Sequence, residues 1–300
     1  MRYCVRHTTR YDYASPVSLC HNEARVTPRE LPWQKVESTE LLIEPRPAIA
    51  SERVDFFGNR VTRFSIQEVH TRLSVTALTR LHIQGRPRPP RDVDDDWQSA
   101  TSHAARAPEL RQFQLDSPFI VREPALRAFA SPSFPVGRSL LEALENFNRR
   151  IFETFTYDPD FSTLATPILK VLQARRGVCQ DFAHLMIGGL RSLGLSARYV
   201  SGYLETLPPP GQPRLIGADA SHAWIAVHVP NWGWLEYDPT NGSLPGDRHI
   251  ILGWGRDYGD VPPLTGIMNG GGAHKLDVEV DVEPQGDDDE NARQGALNGI

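Results

Sequence analysis

The sequence predicts an α+β protein in which an N-terminal antiparallel β-sandwich is followed by one buried helix packed on a second antiparallel sheet. Three observations carry that expectation. Apolar and polar residues alternate through much of the first 85 positions. A run at helical spacing, Phe182, Met186, Ile187, Leu190 and Leu193, begins directly behind Cys179. Strand-like segments then follow at 197–204, 222–229 and 234–237.

In chain order, residues 1–85 read as strands. Gly58-Asn59 makes a turn between the apolar-rich arms of Val54–Ile66, which is a hairpin signal. Leu73, Val75, Ala77, Leu81 and Ile83 continue the period of two, and Glu40–Glu44 is a strand that Pro45 stops. Nothing in this half suggests chemistry; it reads as a packing partner or a wall for substrate. His7, His21 and His70 have no ligand spacing and read as structural or surface residues. Residues 86–107 are assigned as a linker, because the proline and mixed charge of 86–96 favour an extended, hydrated backbone.

Residues 108–284 are assigned to a catalytic domain. Pro108–Ala130 reads as short helices broken by proline. Ser139 and Glu142 form a capping box, and Leu141, Leu144, Phe147, Asn148, Ile151, Phe152 and Phe155 continue a helical face. Thr163–Ala174 is a further short helix, Gly194 suits the C′ position after the cysteine helix, and Pro208–Gly211 is a loop. Leu276, Val278, Val280 and Val282 alternate with charges and fit one edge strand. Residues 285–300 are acidic and poor in apolar side chains, the composition of a disordered tail.

Three hundred residues suit two modest domains, and 40% hydrophobic content supplies real cores. The net charge of −5 comes with scattered basic residues, which gives no nucleic-acid signature. No stretch has the length and apolarity of a membrane span. Met1–Thr8 lacks the apolar run of a signal peptide, so a cytoplasmic location is expected. Three widely spread cysteines argue for free thiols, Cys4 and Cys20 among them, rather than a disulfide framework.

The chemistry centres on Cys179. At a helix start, unsatisfied N–H groups and the positive end of the dipole favour a thiolate. A lone cysteine there is usually a small core residue; this one follows Gly177, which would let the backbone approach a substrate, and has partners downstream. His222 supplies a base and Asp238 a carboxylate to orient it, the set that thiol-mediated acyl chemistry requires. Alone, His222 would be an ordinary strand histidine and Asp238-Pro239 an ordinary strand end. These three residues are also legitimate zinc ligands, but no close-spaced ligand pair accompanies them, so no metal is expected. No phosphate-binding glycine loop of the Walker type occurs, and no cofactor is expected.

The stretches RRGVCQDFAHLM (175–186), ARYVSGYLE (197–205), SHAWIAVHVPNWGWLEYDPTNG (221–242) and GRDYGDVPP (255–263) resemble, in order and spacing, the transglutaminase-like (papain-like thiol) superfamily. The resemblance covers roughly residues 140–263, and the first eighty or so look like the region that precedes this domain in bacterial members. It implies a Cys179–His222–Asp238 triad acting on amide carbonyls of a peptide or protein through a thioester. Bacterial proteins of this kind are described as candidate cysteine proteases, which favours hydrolysis; protein-glutamine transamidation is the alternative. A catalytically silent, peptide- or partner-binding domain is the reading of another class. The resemblance also implies peptide-ligase partner proteins. The Cys179 backbone N–H is a natural oxyanion donor, with Tyr157 and Gln180 as candidates for a second. Trp224, Trp232 and Asp257 are candidate substrate contacts, against the plainer readings of aromatic packing and a salt-bridged turn. His184 lies about 140° round the helix from Cys179 and reads as structural.

Overall fold

The computed structural model describes residues 1–89, 96–207 and 220–285. Five strands open the chain: β1 (Arg2–Ala24), β2 (Gln34–Glu44), β3 (Ile49–Val54), β4 (Arg60–Ile66) and β5 (His70–Ile83). The helical middle holds α1 (Trp97–Arg106), α2 (Pro108–Arg111), α3 (Pro124–Ala130), α4 (Leu140–Thr154), β6 (Thr156–Tyr157), α5 (Ile168–Ala174), β7 (Arg176–Gly177) and α6 (Cys179–Ser192). Six strands complete it: β8 (Ala197–Leu204), β9 (Ala220–Val229), β10 (Gly233–Tyr237), β11 (His249–Gly255), β12 (Leu264–Gly270) and β13 (His274–Gln285).

The N-terminal strands form one seven-stranded antiparallel sheet built on β1, which is 23 residues long. The same β1 residues pair with β5 and with β13, so these two strands lie on its opposite sides. Farther along, β4 and β12 flank β1 in the same way. The alternation of β13 therefore marks an edge strand, as predicted, but one belonging to the N-terminal sheet. This corrects the boundary drawn at 108–284: residues 264–285 complete the first sheet rather than extend the catalytic unit. Period two reveals a strand; it carries no information about the partner to which a distant strand will pair.

A second sheet has the order β10-β9-β8-β11, all antiparallel. It supplies the layer that faces the first sheet. Tyr3, Val5, Leu81, Ile83, Val280 and Val282 bury themselves against Tyr203, Ile250 and Leu252, each large side chain contributing ~1.5–3 kcal/mol of burial. On the face toward α6, Ala223, Ile225 and Val227 meet Phe182, Ala183, Met186, Ile187 and Leu190. The intervening positions, Trp224 and Ala226, belong to a separate cluster with Leu31, Val200 and Ile251. Alternation along β9 thus separates two faces of quite different chemistry.

Local signals explain the helices around the site. Ser139 caps α4 by accepting the Glu142 N–H at 3.2 Å. Gly194 takes φ +90° just beyond α6, the left-handed geometry that glycine adopts without a Cβ penalty. The assigned linker is not simply exposed. Trp97–Arg106 is helical, and the Arg86 side chain, 4% exposed, pairs with Glu236 at 2.6 Å. An oppositely charged partner and a carbonyl acceptor hold it against the second sheet despite its proline-rich surroundings. Residues 90–95 of that linker, the loop expected at 208–211 and the tail beyond 285 lie outside the described residues. Among the described residues no helix is long and apolar enough to cross a membrane.

Candidate active site

Cys179 is the first residue of α6 and is half-buried. Asp181 folds back over the start of the helix, where one carboxylate oxygen accepts the Val178 N–H at 2.8 Å and the Ser162 hydroxyl. A Cβ at Gly177 would stand 2.6 Å from that carboxylate oxygen. The glycine thus makes room for the cap. Burial pushes the Asp181 carboxyl up, and the bonds from Ser162 and Val178 pull it back in part.

His222 lies on β9, paired with Gly202 of β8, and Asp238 directly follows β10. A two-way bridge between Asp238 and Ser243 closes the turn after that strand. The Asp238 carboxylate is 0% exposed and surrounded by donors. Oδ1 accepts the backbone N–H groups of Thr240 (3.0 Å) and Asn241 (3.2 Å). Oδ2 accepts from His222 Nε2 (2.8 Å), His249 Nε2 (3.1 Å) and Asn241 Nδ2 (2.7 Å). Burial alone would raise its pKa, but these bonds, led by those from the two histidines, hold it well below the usual carboxylate range.

Cys179 lies near enough to the same His222 imidazole to act on its charge. With Nε2 donating to the carboxylate, Nδ1 is the nitrogen left for the sulfur. Burial opposes the imidazolium, yet Asp238 and Cys179 together push the His222 pKa up to about 10. The structure therefore brings together the three residues singled out in the sequence, with His222 in the middle.

His249 and Asn241 were not singled out in the sequence. The Gly246 N–H donates to His249 Nδ1 at 3.2 Å, so Nε2 carries the proton and donates to Asp238. Burial lowers the His249 pKa, which keeps this ring a neutral donor. No spacing in the chain pointed to it, because β11 reaches the site by pairing with β8, far from β10. The ligand atoms of His222, Asp238 and His249 lie within 4.8 Å of one another, a donor set that a zinc ion accepts. In the arrangement described they are bonded to each other.

The remaining candidates divide. Tyr157 is 55% exposed on β6, opposite Gly177 of β7. Burial of part of its ring, and then the charge of Cys179, raise its pKa. Gln180 is half-buried and lines a small cavity with Phe119 and His184. Trp224 is 0% exposed, with its Nε1 donating to Glu236 at 2.5 Å, so it is a core residue and not a substrate wall. A Cβ on the neighbouring Gly202 would stand 2.4 Å from its ring, a measure of how tightly it is packed. Asp257 is likewise 0% exposed; it accepts the N–H groups of Phe119 and Gly259 and has no surface to offer an amine. A carboxylate after a strand often caps the following turn, and that is its role here. Trp232 is half-buried on the loop between β9 and β10 and remains open to a ligand. His184 accepts the Tyr258 N–H and stacks on Phe119, a structural role as predicted.

A thiol, an imidazole and a buried carboxylate thus converge where a helix tip meets an antiparallel sheet. Residues 134–239 match the model of the transglutaminase-like superfamily, and residues 3–82 match the bacterial transglutaminase-like N-terminal region. The chain belongs to that superfamily. It is 40% identical over 294 residues to an uncharacterized protein of Mycobacterium tuberculosis, covering 94% of this chain and 93% of that one. It is also 32% identical over 103 residues to a protein-glutamine gamma-glutamyltransferase of Pseudomonas aeruginosa, 32% of this chain and 15% of that protein. The crystal structure of a candidate cysteine protease from Cytophaga hutchinsonii shares the fold, with a TM-score of 0.74 at 19% identity. That likeness covers 95% of this chain and 92% of the other.

Proposed function

We propose that the protein cleaves amide bonds of a peptide or protein through a Cys179 thioester, with water as the final acceptor. The observation that carries the reading is the single His222 imidazole, which has Cys179 near it and is bonded through Nε2 to the ionised Asp238. With the proton already held on His222, the Cys179 Sγ bonds to the carbonyl carbon and the negative charge passes to the carbonyl oxygen. The Cys179 backbone N–H stabilises that oxygen, and Tyr157, paired with Gly177 just ahead of the cysteine helix, is the candidate for a second donor. The C–N bond then breaks as His222 returns its proton to the leaving nitrogen. Water adds to the thioester, giving up a proton to His222; the acid leaves and the Cys179 sulfur is freed beside the protonated imidazole.

Hydrolysis is favoured because Cys179 is only half-buried and Tyr157 is largely exposed, so water reaches the thioester freely. The similarity to a protein-glutamine gamma-glutamyltransferase favours the second reading, in which a primary amine takes the acyl group. A panel of peptide and glutamine amides, with and without added primary amine and with products read by mass, tests both. Free acid formed only when Cys179 is intact is the expected result. Predominant amine adducts would replace hydrolysis by transfer, and no Cys179-dependent product would remove the enzyme reading.

A further inference from the structure

A cavity of ≈ 420 Å³ lies against the second sheet, on the face away from α6. Its walls include Trp33, Trp232, Arg86, Arg88, Arg198 and Glu236. Arg198 is only 8% exposed and lies over the rings of Trp234 and Trp254, 4.3 and 3.7 Å from their centroids. A guanidinium stacked on indole keeps its in-plane N–H donors for another partner.

The hydrogen bonding of this cavity is one-sided. Glu236 Oε2 is already taken by Trp224 (2.5 Å) and Arg86 (2.6 Å). Arg88 donates to the Pro245 carbonyl at 2.7 Å, with no carboxylate bonded to it among the described residues. Among the described residues the buried Nε atoms of Arg86 and Arg198 and the indole nitrogen of Trp33 have no partner. All three are donors. Three arginines thus face one carboxylate, and the hydrogen bonds among the described residues include none from Arg198. Buried charges are normally paired, so the group missing here is a negatively charged acceptor. Trp33 and Trp232 add a flat apolar surface beside it.

We infer that this cavity binds a carboxylate carried on a flat apolar body, with the carboxylate meeting Arg198 and the body lying against Trp33 and Trp232. Burial lowers the Arg198 pKa to about 9 despite Glu236, so its charge is under-compensated and gains from an arriving anion. A free aryl carboxylic acid and the C-terminal aromatic residue of a peptide share this chemistry. The inference does not rest on the reaction proposed above, and either can fail alone.

The test uses the full chain with Cys179→Ala, so that no probe is consumed, and calorimetric titration with four probes. These are 3-phenylpropionate, 3-phenylpropionamide, the dipeptide Ala-Phe and its C-terminal amide. Each acid is expected to bind saturably at ~millimolar or better, and its amide at least about tenfold more weakly, the loss of one charge-assisted contact. Arg198→Met, with folding checked by circular dichroism, is expected to cost the acids at least about the same factor. Tighter binding of Ala-Phe than of 3-phenylpropionate assigns the ligand to a peptide C-terminus, and the reverse to a free acid. Absence of saturable binding by both acids would overturn the inference, as would equal binding of acids and amides. Unchanged binding in folded Arg198→Met would also overturn it. If Arg198→Met does not fold, the acid–amide comparison decides.

Discussion

His7, between the two sheets, and His222, beside Cys179, are both almost fully buried, at 1% and 9% exposure. His7 hydrogen-bonds to the hydroxyls of Tyr203 and Thr9, both at 2.9 Å. Neither partner is charged, and burial drives its pKa down to about 4. His222 experiences the same desolvation but faces Asp238 and Cys179, and its pKa goes up to about 10. Burial and hydrogen bonding alone therefore make a structural histidine in this fold. A carboxylate kept ionised by five donor contacts makes one that keeps its proton.

The most severe test of that contrast is Cys179→Ala. It should lower turnover more than about a thousandfold, since members of such a unit fail together, while leaving the melting temperature nearly unchanged at a half-buried position. Asp238→Asn should cost roughly a hundredfold to ten-thousandfold in kcat. It should also bring the alkaline limb of kcat/KM down from about pH 10, because the carboxylate that raises His222 is gone. His249→Leu removes one donor from Asp238 and should cost about tenfold in kcat. It should move the His222 titration, followed by NMR, farther up, since the remaining carboxylate becomes more basic.

Smaller effects should appear in stability against pH, with opposite signs. His222 is raised from 6.5, so its stabilising contribution is full below pH 6.5 and is lost as pH rises toward about 10. His7 is lowered from 6.5, so the unfolded chain binds the extra proton first and stability falls as pH drops from 6.5 toward about 4. Melting curves of His7→Phe should accordingly lose less stability than the parent over that acid range, with turnover unaffected. Parallel acid slopes for parent and variant would remove His7 from the account.

Much of the site was legible because its chemistry is local. Cys179 stands at a helix start marked by an apolar run, and His222 and Asp238 lie in recognisable blocks on consecutive strands. His249 was not legible, because it meets Asp238 only once β11 has paired with β8, a contact that no period reports. Trp224 was read from its place beside His222 and Asp257 from the likeness of its loop to the family's, and their full burial shows that neither signal places a side chain on the wall of a cleft. The same holds for β12 and β13, whose alternation was visible while their partner, β1, was not.

The rate at which iodoacetamide modifies each cysteine near pH 6 examines the central pairing most directly. Cys4 and Cys179 are both half-buried, so Cys4 controls for access, and Cys20 is buried. Cys179 should react at least about tenfold faster than Cys4, the advantage of a sulfur with an imidazole beside it, and His222→Asn should erase the difference. Equal, slow labelling of Cys179 and Cys4, indifferent to His222→Asn, would contradict the account.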